Sequence, residues 1–135
     1  MSKYILVIEP SRILRNILGV HLQLAGHAVM TFSTYGLTRE ALSVFQRQPP
    51  DLIFVALHLS QPESCTLLGR VRMDYPNATL AALVMPEEHE HRTLQTALQE
   101  TQAIVLLKPF KIQEVLALCA SGQLSQQQRM RHVQY

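Results

Sequence analysis

From Leu52 to Leu57 the chain reads Leu-Ile-Phe-Val-Ala-Leu, six apolar residues with no polar one between them. A short run that skips the usual in-and-out alternation is how a strand covered on both faces reads. Pro49 and Pro50 stand before it, and Ser60-Gln61-Pro62 follows it, so turn chemistry closes the segment 51–59 at both ends. A strand of this kind belongs in the middle of a parallel α/β sheet. The crevice beyond the carboxyl ends of such strands is where ligands bind and chemistry collects. Near that end stands Ala56, whose methyl group offers neither charge nor hydrogen bond.

The remainder alternates strand and helix around this centre. Residues 3–8 read as a first strand. Ser11 can cap a helix whose Ile13, Leu14, Ile17, Leu18, His21 and Leu22 recur at helical spacing, which makes His21 a core-edge histidine. Gly26 supplies the left-handed stop. Residues 27–32 form a second strand, and Ser33 or Thr34 opens a helix striped by Leu37, Ala41, Leu42 and Phe45. After the central strand, Pro62 suits the first turn of a third helix with Leu67, Leu68 and Val71 inward, ending before Pro76. Residues 80–85 are a fourth strand. Pro86 with Glu87, Glu88 and Glu90 suits a helix N-terminus, where the dipole favours negative charge, and Leu94, Ala97 and Leu98 make its buried stripe. Residues 103–107 are a fifth strand. Lys108-Pro109-Phe110 follows, then a helix from residue 111 with Ile112, Val115, Leu116 and Leu118 inward.

Strand and helix five times over, with short links, predict one parallel sheet with right-handed crossovers and helices on both faces. Beyond Gly122 the composition turns to Gln-Leu-Ser-Gln-Gln-Gln-Arg-Met-Arg. Residues 1–122 are therefore expected to form the domain. Residues 123–135 read equally as an extension of the last helix or as a polar linker. In the helical case Leu124, Gln128 and Arg131 share a face that would pair with another copy or lead toward an effector domain.

Composition narrows the classes. With 47% hydrophobic and 16% charged residues, 135 residues make one globular domain rather than a disordered chain. No apolar run reaches about 18 residues, so no membrane span is expected, and the N-terminal run is too short for a secretion signal. Cys65 and Cys119 lack CxxC spacing and read as free thiols in a reducing cytosol. The net charge is +2, and Arg129 and Arg131 in the acid-free tail account for it, which leaves the body neutral. Nucleic-acid binding wants a concentrated basic face, so direct binding is not expected.

The candidate chemistries thin out in the same way. The loop after the first strand, Glu9-Pro10-Ser11-Arg12, has no glycine, and Pro10 removes a backbone donor that a phosphate cradle would use. No Gly-x-Ser-x-Gly elbow occurs. His58 reads as a loop histidine, and Ser60 and Ser64 have no context that marks them for modification. His89 and His91 are two residues apart, whereas metal pairs on a helix want three or four. They read as the solvated start of a helix. No metal site, cofactor or catalytic constellation is expected.

Tyr-Ile-Leu-Val-Ile-Glu-Pro-Ser-Arg, Pro-Pro-Asp-Leu-Ile-Phe-Val-Ala-Leu and Val-Leu-Leu-Lys-Pro-Phe, in that order, resemble a bacterial response-regulator receiver domain of the CheY-like kind. The resemblance covers residues 3–120 and implies a flavodoxin-like (βα)5 fold, a doubly wound five-stranded parallel sheet of strand order 2-1-3-4-5. In that family, two acids after the first strand hold magnesium and an aspartate ending the third accepts a phosphoryl group from a histidine kinase. A Thr or Ser ends the fourth strand and a lysine the fifth. Carried over, these positions are Glu9 and Pro10, Ala56, Met85 and Lys108, and the aromatic switch position is Val105. Only Glu9 and Lys108 keep the family's chemical character.

The resemblance therefore implies a degenerate receiver. A methyl cannot form an acyl phosphate, and one carboxylate is a poor set of ligands for magnesium. Met85 has no hydroxyl and Val105 no ring. A Glu9–Lys108 contact is expected, because a lysine left without its acids would otherwise stand desolvated. The family also implies a cis Lys108-Pro109 bond. The expected role is a phosphorylation-independent signalling module in the cytoplasm. It would meet a protein partner or effector domain through its fourth helix, fifth strand and fifth helix, with a homodimer as one form of that contact. The alternative is an unorthodox receiver switched by a small ligand or by modification at another residue such as Ser60. An unrelated α/β enzyme would need a catalytic dyad beyond Glu9 and Lys108.

Overall fold

The structure is a computed structural model that describes residues 2–36 and 48–134. Its sheet holds five strands, β1 (Tyr4–Ile8), β2 (Ala28–Phe32), β3 (Leu52–Leu57), β4 (Thr79–Val84) and β5 (Ile104–Leu107). All pairings are parallel and the order is β2-β1-β3-β4-β5, as expected. The described helices are α1 (Arg12–Leu24), α2 (Glu63–Asp74), α3 (Pro86–His89), α4 (Arg92–Thr101), α5 (Ile112–Ser121) and α6 (Gln126–Gln134). The sequence-predicted helix carrying Leu37, Ala41, Leu42 and Phe45 lies outside the described residues.

The unbroken apolar run explains the two-sided core. All six residues of β3 are buried, and successive side chains point to opposite faces. Ile53, Val55 and Leu57 join Leu67, Leu68 and Val71 of α2 and Leu94 and Leu98 of α4 on one side. Leu52, Phe54 and Ala56 join Leu18 and Leu22 of α1 and Val115, Leu118 and Cys119 of α5 on the other. Each large side chain so buried stabilises the fold by about 1.5–3 kcal/mol. Burial raises the Cys119 thiol to about 11, so it is a packing residue and not a nucleophile.

Five expectations change on contact with the structure. On α1 only Leu18 and Leu22 are buried, while Ile13 and Leu24 are 73% and 78% exposed. His21 is exposed too, and so is not a core-edge residue. The apolar positions are spread over more of the helix than the sheet can cover. The helix expected after β4 is broken in two. His91 takes an extended backbone, φ −64 and ψ 135, and its ring accepts a hydrogen bond from Thr93 N at 3.2 Å, capping α4. His89 is half-buried rather than solvated, its ring tilted against His132 with centroids 5.6 Å apart. Finally, the described tail residues, 123–134, neither extend α5 nor run on as a linker. Gly122, at φ +71, ends α5 in the left-handed conformation that suits glycine, and the separate helix α6 turns back onto β5.

Candidate functional site at the carboxyl ends of the strands

The strand registers bring the sequence-predicted positions together. Ile8 pairs with Val55 and Val84 with Leu107, so Glu9, Ala56, Met85 and Lys108 all fall at the carboxyl edge of the sheet. Glu9 is fully buried one residue past β1, held by its N–H donating to Phe32 O at 3.0 Å. Lys108 is 6% exposed one residue past β5, with its N–H on Val84 O at 2.9 Å and a cis bond to Pro109. Their side chains meet, Nζ to Oε1, at 2.8 Å. The expected contact is there. The other carboxylate oxygen, Oε2, accepts from Ser11 N at 3.1 Å. Among the described residues nothing else donates to Oε1. The pair is buried, so each charge is compensated chiefly by the other.

Ala56 is buried with its methyl in the α1–α5 side of the core, and its carbonyl accepts from Tyr35 Oη at 2.6 Å. Burial first, and Glu9 next, push the Tyr35 hydroxyl well above its usual range. Pro10 is half-buried, and Arg15 on the first turns of α1 donates Nη1 to the Glu9 carbonyl at 2.9 Å and the Pro10 carbonyl at 3.2 Å. Met85 is half-buried at the start of α3. One turn on, Glu88 accepts the Leu59 N–H at 2.6 Å, with its other oxygen 3.9 Å from His58 Nδ1. That carboxylate draws the loop after β4 onto the loop after β3. Ser64 is fully buried, its Oγ accepting from His58 N at 3.2 Å, so it lies in α2 and not in an open loop. Val105 is half-buried against α6 rather than facing solvent.

The site does not suit magnesium. The ion wants about six oxygens in octahedral array, whereas one carboxylate is present here, already spent on an ammonium and a backbone N–H. Among the described residues no group of three or more His, Cys, Asp or Glu side chains could hold a metal. No described helix is long and apolar enough to cross a membrane.

Sequence reading missed Arg15, Tyr35 and Glu88. Arg15 and Glu88 were legible only as helix residues, and nothing local marks which loop they reach. Gln128 and Arg131 were seen as one helix face, and within the chain that face meets β5.

No protein-family model matches the chain. It is similar to the response regulator protein FleR of Pseudomonas aeruginosa, 29% identical over 126 residues, which are 93% of this chain and 26% of that protein. The chain thus spans about a quarter of the length of that relative. A CheY-like response-regulator receiver domain protein from Methanospirillum hungatei superposes with a TM-score of 0.73 at 15% identity, covering 100% of both chains. NtrX from Brucella abortus gives 0.73 at 20% identity over 89% of this chain and 26% of its own. Strand order and superposition agree: the chain has the CheY-like fold of a response-regulator receiver domain.

Proposed function

We propose that the chain is a receiver module of a two-component pathway that signals through its surface and without taking up phosphate. The observation that carries this reading is the 2.8 Å Glu9–Lys108 pair beside a buried Ala56. The positions that would bind magnesium and phosphate in a phosphorylated receiver are Glu9, Pro10, Ala56, Met85 and Lys108. Here an ion pair, a methyl and a thioether fill them. The Glu88 carboxylate supports the same reading, since it joins the loops after β3 and β4 without any added group. A conformation held from within can change only through something that binds its alternatives differently. That something is a protein partner or an effector domain, meeting the face made by α3 and α4, β5 and α5.

The test is to incubate the chain with magnesium and acetyl phosphate, or with beryllofluoride, and follow it by intact mass and amide chemical shifts. No adduct and no shift at the loop after β3 is the expected result. Stoichiometric labelling there would overturn the proposal and favour an unorthodox, chemically switched receiver.

A further inference from the structure

Edge strands must have their outward backbone groups satisfied or covered. At β5 a side chain does this. Gln128 on α6 is fully buried, and its amide makes both bonds a neighbouring strand would make. Oε1 accepts from Leu107 N at 2.9 Å, and Nε2 donates to Leu107 O at 3.0 Å. One turn on, the Arg131 guanidinium donates to Leu107 O at 3.0 Å, to Lys108 O at 2.7 Å and to Pro109 O. Two side chains at i and i+3 thus read three successive carbonyls.

An open groove of about 500 Å³ runs beside this contact, lined by Ala103, Val105, Leu124 and His132 among others. His132 Nε2, beside the groove, and His89 Nδ1, on α3, are buried without a hydrogen-bond partner among the described residues. A nine-residue, glutamine-rich helix is too short to hold itself together, so α6 exists because it is docked. Its connection to α5 is the short stretch 122–125, which starts at Gly122. A specific polar clamp on a helix that cannot stand alone describes a bound ligand better than a piece of core.

We propose that the β5 edge is a docking site for a helix that presents glutamine and arginine one turn apart, with α6 as its occupant in cis. A partner helix of the same chemistry competes with α6 for Leu107, Lys108 and Pro109. The inference rests on the reading of this chain as an interaction module and specifies what its partner carries. It also makes the β5 face closed by default.

The full chain, wild type and with Gln128→Ala and Arg131→Ala together, is titrated with a fluorescent peptide of its own residues 123–135. Losing these hydrogen bonds should free the site, so the double variant binds the peptide on the order of tenfold or more tightly than wild type does. A peptide carrying the same two changes binds neither chain. Leu107 amide exchange accelerates in the variant while the β3 amides stay protected. A dimer that exchanges tails makes these contacts in trans and supports the proposal equally. Equal peptide binding by variant and wild type overturns it, as does a Leu107 amide that exchanges only with the whole sheet. If the double variant unfolds, Arg131→Ala alone, at a half-buried position, is read in the same way. A phosphoryl adduct after β3 would defeat the phosphorylation-independent reading and leave the peptide result standing.

Discussion

Lys108 belongs to two regions that are held in opposite ways. Its ammonium points inward to Glu9, in a pair whose side chains are 7% and 0% exposed. Its carbonyl faces outward to Arg131 on the C-terminal helix. The inner tie joins two formal charges in a buried place, and breaking it strands one of them. The outer tie joins neutral backbone groups to an amide and a guanidinium at a sheet edge, where water can take over if the helix leaves. One residue therefore anchors an ion pair inside the fold and a hydrogen bond to the C-terminal helix. What separates them is that only the inner tie joins two opposite charges.

The sharpest way to break this comparison is to remove one charge from the inner tie. Glu9→Ala should lower unfolding stability in urea by about 3–5 kcal/mol, because Lys108 is left buried and unpaired. Adding Lys108→Met to it should recover most of that loss. A double variant as unstable as the two single losses combined would show that the pair is not what holds these loops.

A smaller effect is expected beside it. Tyr35→Phe removes the donor to the buried Ala56 carbonyl and should cost about 1–3 kcal/mol. Because burial and Glu9 keep that hydroxyl protonated well above its usual range, the difference between wild type and variant should be flat from neutral to mildly alkaline pH. A difference that changed there would place Tyr35 in contact with water.

The smallest effect sharpens the outer tie. His132 on α6 is held below its ordinary value of about 6.5 by burial first, then by His89 on α3 and Arg131 on its own helix, against a backbone hydrogen bond at Val105. The undocked helix therefore takes up a proton more readily than the docked one. Docking is fully favoured above the ordinary histidine range and is lost as pH falls through it. Amide exchange at Leu107, corrected for its intrinsic pH dependence, should speed up modestly below that range. His132→Phe should remove the dependence, and its persistence would assign the effect to another group.

Much of the fold was legible because its signals are local. The Leu52–Leu57 run, the turn residues around it and the alternation of elements are enough for a parallel sheet, and the strands lie within a residue or so of where the pattern puts them. The Glu9–Lys108 contact was legible too, since two strand ends in a known order leave those side chains few other places to go. Helix α1 misled because its apolar residues outnumber the positions a sheet can cover, so Ile13 and Leu24 stay in water. Glu88 was readable as a helix-start acid. That it would instead take the N–H of Leu59, 29 residues earlier, depends on the pairing of β3 with β4.

By itself the sequence determined which groups the strand ends can offer, since residue identity alone puts a methyl at Ala56 and a ring without a carboxylate at Pro10. Only the tertiary structure decided where residues 123–134 go. A polar, glutamine-rich segment has no hydrophobic pattern strong enough to specify its own place. Its position comes from the unpaired backbone of an edge strand that exists only once the sheet has formed.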